Sequence, residues 1–179
     1  MTSEIQEPQI GVTGSYWVGR GKRSIWSLVR DSFAEAEREI IMAAYSLSET
    51  SPEFIGLFDT CLRKGVRIVL IVNRFGEQPS NARKGLVSLA WEHQKRLVLK
   101  NFNPTDRRED LHAKLIVIDH RIALVGSANI TWKGMNINHE LVLRIAGRRA
   151  SEVGDLLDKL SVSPDTKLVR VEGPAKHHD

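Results

Sequence analysis

"LHAKLIVIDHRIALVGSAN", residues 111–129, joins two apolar runs through a polar turn and opens with a histidine and a lysine two positions apart. An apolar strand gains nothing from His112 and Lys114 unless both face a group that attracts positive charge. Alternate side chains on a strand share a face, so His112, Lys114, Ile116 and Ile118 fall on one side and Asp119 on the other. After a tight turn at His120 and Arg121, the chain returns through "IALV" to Gly126, Ser127, Ala128 and Asn129. Gly126 lets the backbone approach a ligand, and the Ser127 hydroxyl and Asn129 amide are donors suited to phosphate oxygens. Asn138 and Glu140 repeat the two-residue spacing on what reads as the next strand.

Outward from this hairpin, strands and helices alternate. The spacing predicts a strand at 15–18 and an amphipathic helix at 24–38 whose inner face carries Ile25, Leu28, Val29 and Phe33. The nearly continuous apolar run 39–47 suits a central strand covered on both faces. Ser51, Pro52 and Glu53 look like a helix start, with Gly65 as the stop. A buried strand at 66–72, a loop at 73–81, a helix at 82–94, a strand at 96–102 and a loop at 103–110 lead into the opening hairpin. Its strands are expected at 112–119 and 121–126, followed by a strand at 138–145 and a closing helix at 149–160. The pattern implies an α/β fold, a mixed β-sheet layered between α-helices, in one domain at 10–162 with tails at 1–9 and 163–179.

The 179 residues suffice for one core, and Lys plus Arg exceed Asp plus Glu by 26 − 22 = 4, compatible with an anionic partner. Cys61 is the sole cysteine, which excludes an intramolecular disulfide and a cysteine zinc site, and its expected role is that of a buried small hydrophobe. No apolar run reaches the roughly 18 residues of a membrane span, and the polar start lacks signal-peptide character, so a cytoplasmic protein is expected. His177 and His178, in the polar end "GPAKHHD", read as frayed terminus.

The residues His112, Lys114, Asp119, Gly126, Ser127 and Asn129 stand at the spacing His-x-Lys, four residues, Asp, six residues, Gly, small residue, one residue, Asn. This resembles the motif of the phospholipase D superfamily; a chance match is on the order of one in a hundred million per starting point. The resemblance extends over about residues 10–160, sharply after 110. It implies a phospholipase D-like fold and metal-independent phosphodiester chemistry with no cofactor. In that superfamily two such motifs meet in one active site. No second His-x-Lys occurs among His93, His112, His120, His139, His177 and His178, so the chain is expected to pair with itself as a homodimer. The resemblance is thus to the small single-motif members, chiefly endonucleases. It also implies Glu140 as the acidic residue that orients His112. Asp119, on the other strand face, is expected to be a hydrogen-bonding residue near the turn.

Displacing an alkoxide from a phosphodiester without a metal needs a nucleophile, an acid for the leaving oxygen and positive charge around phosphorus. One histidine cannot serve as both at once. Arg74, Arg83, Lys84, Arg107, Arg108 and Lys133, in or beside the expected loops, are candidates for a positive track toward nucleic acid, DNA in preference to RNA, with Phe75 or Trp132 to stack on a base. For any one of these basic residues a solvated surface is the default explanation. His93 reads as surface, His139 as non-catalytic, and Trp17, Trp26 and Trp91 as core or dimer packing. Rival expectations are a lipid phosphodiesterase or phosphatidyl transferase, and a nucleic-acid-binding subunit of a larger defence or repair complex.

Overall fold

In chain order the elements are β1 (Gln9–Val12), β2 (Arg23–Ser24), α1 (Ile25–Ala34), β3 (Glu39–Ala44), α2 (Pro52–Arg63), β4 (Arg67–Asn73), α3 (Ser80–Glu92) and β5 (Leu97–Phe102). Then come β6 (Lys114–Ile118), β7 (Ile122–Gly126), α4 (Trp132–Asn136), β8 (Leu141–Ala146), α5 (Arg148–Ser161) and β9 (Thr166–Leu168). The structure is a computed structural model and describes residues 7–19, 21–47 and 52–172. Ser51, read as a helix start, and His177 and His178 lie outside the described residues.

The strands form one mixed sheet in the order β2-β1-β8-β7-β6-β3-β4-β5-β9. β3, β4 and β5 are parallel, linked by α2 and α3, while β6, β7 and β8 follow as antiparallel neighbours on the other side of β3. The apolar runs of β3 and β4 have their cause in two-sided burial. Ile40, Met42, Ala44, Ile68, Leu70 and Val72 pack toward α1, α2 and α3, and Ile41, Ala43, Val69 and Ile71 join the second core layer with Ala150 and Leu157 of α5. Ile25, Leu28, Val29 and Phe33 are all buried on α1, as its periodicity predicts. Cys61 is buried in the same layer.

Several boundaries differ from expectation. Residues 15–18 form a turn, not a strand; Gly14, at φ +96°, sends the chain back so that Tyr16 and Trp17 pack on His139. The strand propensity of Tyr16 and Trp17 is overridden there by these long-range contacts. The hairpin after β6 turns on Asp119 and His120, both with positive φ (52° and 55°), rather than on His120 and Arg121. His120 lies against α5, where any Cβ on Gly154 would stand 2.5 Å from its ring. The segment read as a C-terminal tail contributes β9, which pairs with β5; three residues at a sheet edge carry no periodic signal. His93 is no surface residue: its side chain is 13% exposed and its ring bonds Asp59 at 2.7 Å. Trp17 and Trp91 are half exposed, whereas Trp26 packs on Phe54.

Candidate active site

The strand registers bring one end of the sheet together. Lys114 pairs with Gly126, Gly126 with Val142, and Leu115 with Ala43. The start of β6, the end of β7, the start of β8 and the ends of β3 and β4 therefore share one edge, as open α/β sheets favour for ligand sites.

His112 does not lie on β6 but in the extended segment before it, and it is exposed. That segment is tied to the end of β4. Buried Asn73 accepts the Leu111 N–H at 3.0 Å and donates to Asp110 at 3.0 Å. Arg74 pairs with Asp110 and donates to the carbonyls of Arg107 and Glu109, both at 3.0 Å. Gln78 ties β3 to β4 by donating to the carbonyls of Tyr45 and Asn73 and accepting the Leu47 N–H. The Tyr45 ring then lies 4.5 Å from the His112 ring.

The Lys114 ammonium donates to the His112 carbonyl at 2.6 Å, stands 3.1 Å from Nδ1 of the same ring and 5.1 Å from the Tyr45 ring centre. Burial lowers its pKa, against the opposing pull of Glu140. A partly buried ammonium with one carboxylate in range is electrostatically ready for a second anion.

Gly126 allows β7 and β8 to close here: a Cβ would stand 2.2 Å from the Leu141 carbonyl and 2.8 Å from Val142 Cα. The closure lets Ser127 Oγ donate to Glu140 and accept the Leu141 N–H at 3.2 Å. Glu140, like Asn138, precedes β8 instead of lying on it, and is fixed by the residue that follows β1: Thr13 N–H donates to the Glu140 carbonyl at 3.0 Å and Thr13 Oγ1 to that of Asn138 at 2.6 Å. Within one chain Glu140 thus engages Ser127 and the field of Lys114; its expected bond to the His112 ring is not among those formed. Asn129 Oδ1 is buried with no hydrogen-bond partner, which in a native site points to an unfilled role.

Asp119 lies at the far end of β6, about 16 Å along the strand from Lys114. Its buried carboxylate accepts the N–H groups of Glu37, Arg38 and Glu39 at 2.8–2.9 Å. Burial alone would raise its pKa; these three donors and Arg121 outweigh it and hold the carboxyl below its usual range.

The basic candidates divide. Arg74, with its side chain 11% exposed, is an internal tie rather than part of a track. Arg83 donates to the Gln78 carbonyl at 2.9 Å, Arg107 pairs with Glu77, and Arg108 with Asp106. Lys84 on α3 and Lys133 on α4 are exposed. Phe75, 5% exposed, is core and cannot stack on a base, because Arg74 in left-handed backbone (φ 41°) turns it inward; Trp132 is 47% exposed. Sequence reasoning missed Tyr45, Asn73 and Asp110. For Tyr45 and Asn73 the available signal was a polar or aromatic residue at the C-terminal end of a parallel apolar strand; Asp110, in the loop before β6, gave none.

Histidine and lysine at one end of the sheet, backed by serine, asparagine and a carboxylate, form a cationic, donor-rich site suited to an oxyanion. The family described as "Cardiolipin synthase, PLD-like domain" matches residues 29–160, and the chain belongs to this phospholipase D-like family, whose superfamily chemistry is that of a phosphodiesterase. No curated protein matches the chain. In fold it is similar to Nuc from Salmonella typhimurium, a phospholipase D family member (TM-score 0.70, 19% identity, 92% of this chain and 99% of that one). It is also similar to NucT from Helicobacter pylori (TM-score 0.65, 15% identity, 86% and 95%) and to phosphatidylserine synthase from Haemophilus influenzae Rd KW20 (0.67, 16%, 91% and 39%).

Proposed function

We propose that the protein is a metal-independent nuclease that cleaves nucleic-acid phosphodiesters at a site shared by two copies of the chain. The observation that carries this reading is one exposed His112, seated beside Lys114, in a chain with a single motif. A nitrogen of one His112 attacks phosphorus to form a phosphohistidine as the P–O bond to the leaving group breaks. The partner's His112, protonated, gives its proton to the departing oxygen. It then removes a proton from water, which attacks the phosphohistidine and frees the first imidazole. Two Lys114 ammoniums with Ser127 and Asn129 from both chains hold the phosphoryl oxygens. One imidazole starts neutral and the other charged, so the pair titrates as a unit and the rate profile is bell-shaped.

Pairing is supported by an apolar row on the α5 side of the sheet. Leu115, Val125, Leu143 and Ile10 are register neighbours there, and the last two are 36% and 40% exposed, with Leu141 also 40% exposed one step nearer the site. Self-association would cover this row and set two like edges face to face. Similarity over nearly the full length of Nuc and NucT favours a small member of the superfamily.

The likeness to phosphatidylserine synthase favours a second reading, lipid phosphodiester transfer. Against it, the net charge of +4 suits a polyanion. The test is cleavage of DNA and RNA in excess chelator, beside phospholipid vesicles, with His112→Ala as control and the assembly measured by sedimentation. Chelator-resistant cutting by a dimer, lost in His112→Ala, is expected. Strict dependence on a divalent ion, an active monomer, or turnover of vesicles alone would overturn the reading.

A further inference from the structure

The sheet end that carries His112 also carries a cleft the phosphate chemistry leaves unused. Trp26, Glu53, Phe54, Trp132, Met135 and Asn136 line a cleft open to solvent. Trp26 is in the first turn of α1, and Glu53 and Phe54 are in the first turn of α2. Both helices begin at the active edge, α1 after Ser24 pairs with Val12 and α2 after β3 ends. Buried Phe54 and Met135 make the floor, Trp26 and half-exposed Trp132 the walls, and Glu53 and Asn136 the rim.

The cleft is coupled to the phosphate site through two contacts. Met135 also lines the small cavity under Lys114 and Gly126. The Asn129 carbonyl accepts the Thr131 N–H at 2.8 Å, and a Cβ on Gly134 would stand 2.7 Å from that same oxygen, so α4 is pressed onto Asn129. Trp132 is thereby set at a fixed offset from the motif.

We propose that this cleft receives one unpaired nucleobase of the strand being cut, making single-stranded or locally melted nucleic acid the substrate; the proposal rests on the nuclease reading. An indole face stacks on any base, and the amide oxygen of Asn136 at the rim, whose nitrogen donates to the Trp132 carbonyl, can accept from its exocyclic groups. A base inside a duplex is stacked and paired and must leave the helix to enter. The alternative occupant of tryptophan walls with a carboxylate is a quaternary ammonium head group. Glu53, however, lies in the first turn of a twelve-residue helix, where its charge already complements the helix terminus. Exposed Lys133, next to Trp132 on α4, adds positive charge near the cleft, which repels a cation and attracts a polyanion.

The experiment measures KM and kcat on single-stranded oligonucleotides carrying one abasic site at successive positions, for the wild type, Trp132→Ala and Trp132→Phe. Removing the stacked base is expected to raise the wild-type KM roughly ten- to a hundredfold at one position. Trp132→Ala should raise KM similarly on intact substrate and be indifferent to that abasic site, and Trp132→Phe, which keeps a ring, should recover most of the loss. The same sequence as a duplex should be cut more slowly. Independent, multiplying effects of the two deletions, an unchanged KM in Trp132→Ala, or displacement by phosphocholine but not by oligonucleotide would overturn the base subsite while cutting persists. Failure of the wild type to cut any oligonucleotide is a different result and removes the nuclease reading with it.

Discussion

Replacing Asp119 by alanine removes one carboxylate and strips three backbone donors of their acceptor. The N–H groups of Glu37, Arg38 and Glu39 lie 2.9, 2.9 and 2.8 Å from its oxygens, and the side chain is 1% exposed. A hydrogen bond to a charged group contributes about 1.5–3 kcal/mol, and an orphaned buried donor costs about 1–3 kcal/mol. Glu37 and Arg38 are exposed, so water can reach part of the vacated site. Alanine also fits poorly at φ 52°, a conformation that aspartate and asparagine tolerate. A loss of about 3–5 kcal/mol follows, or about 6–20 °C in Tm at the slope of a domain this size. Asp119→Asn keeps an acceptor oxygen and the turn preference but not the charge, and should lose about half as much. Because the folded state holds the carboxyl below its usual range, the stability it contributes is present above the unfolded pKa, about 3.9, and is lost as pH falls through the folded value. The gap between wild type and Asp119→Asn should therefore close below about pH 4. Urea unfolding across pH tests this, with kcat measured well below both transitions. A cost under about 1 kcal/mol for Asp119→Ala, or a gap that persists in acid, would refute the clamp. Loss of kcat in a folded Asp119→Asn would place the residue in catalysis despite its distance from Lys114.

The remaining expectations concern the active edge. Gly126→Ala drives a Cβ into the Leu141 carbonyl and Val142 Cα, both backbone, so β7 and β8 must part. A cost of about 1–3 kcal/mol by urea unfolding is expected, with a larger fall in kcat/KM than in stability because Ser127 and Glu140 separate. Gly56→Ala, which meets nothing within 4 Å on α2, should be neutral or stabilising by up to about 1 kcal/mol and serves as the contrast. Lys114 must be charged to hold phosphate and burial lowers its pKa, so KM should rise as pH climbs through a value below that of ordinary lysine, separately from the kcat bell of the His112 pair. In Lys114→Arg that rise in KM should move to higher pH in whatever activity remains; an unmoved rise assigns it to another group.

The difference between what was legible in the sequence and what was not follows the range of the forces involved. Burial on two faces writes itself into every position of a strand, so 39–44 and 67–73 could be read directly. The motif could be read because its spacing is local, and the register Lys114–Gly126–Val142 sets the start of β6 beside the end of β7 at one edge, while Asp119 stands at the other. Side chains whose work is long-range left weaker traces. Asn73 is an unremarkable strand end until Leu111, 38 positions later, needs an acceptor. Arg74 looks like a surface cation until Asp110 and two carbonyls surround it. The same reasoning explains the misplaced strand at 15–18. Tyr16 and Trp17 have strand propensity, but Gly14 and the distant ring of His139 decide their conformation. These ties converge on the two segments that present His112 and Glu140, neither of which lies on a strand. The sheet supplies the edge and Lys114; positioning of the imidazole is delegated to side-chain clips. Substitutions in those clips should therefore disturb catalysis before they disturb the fold.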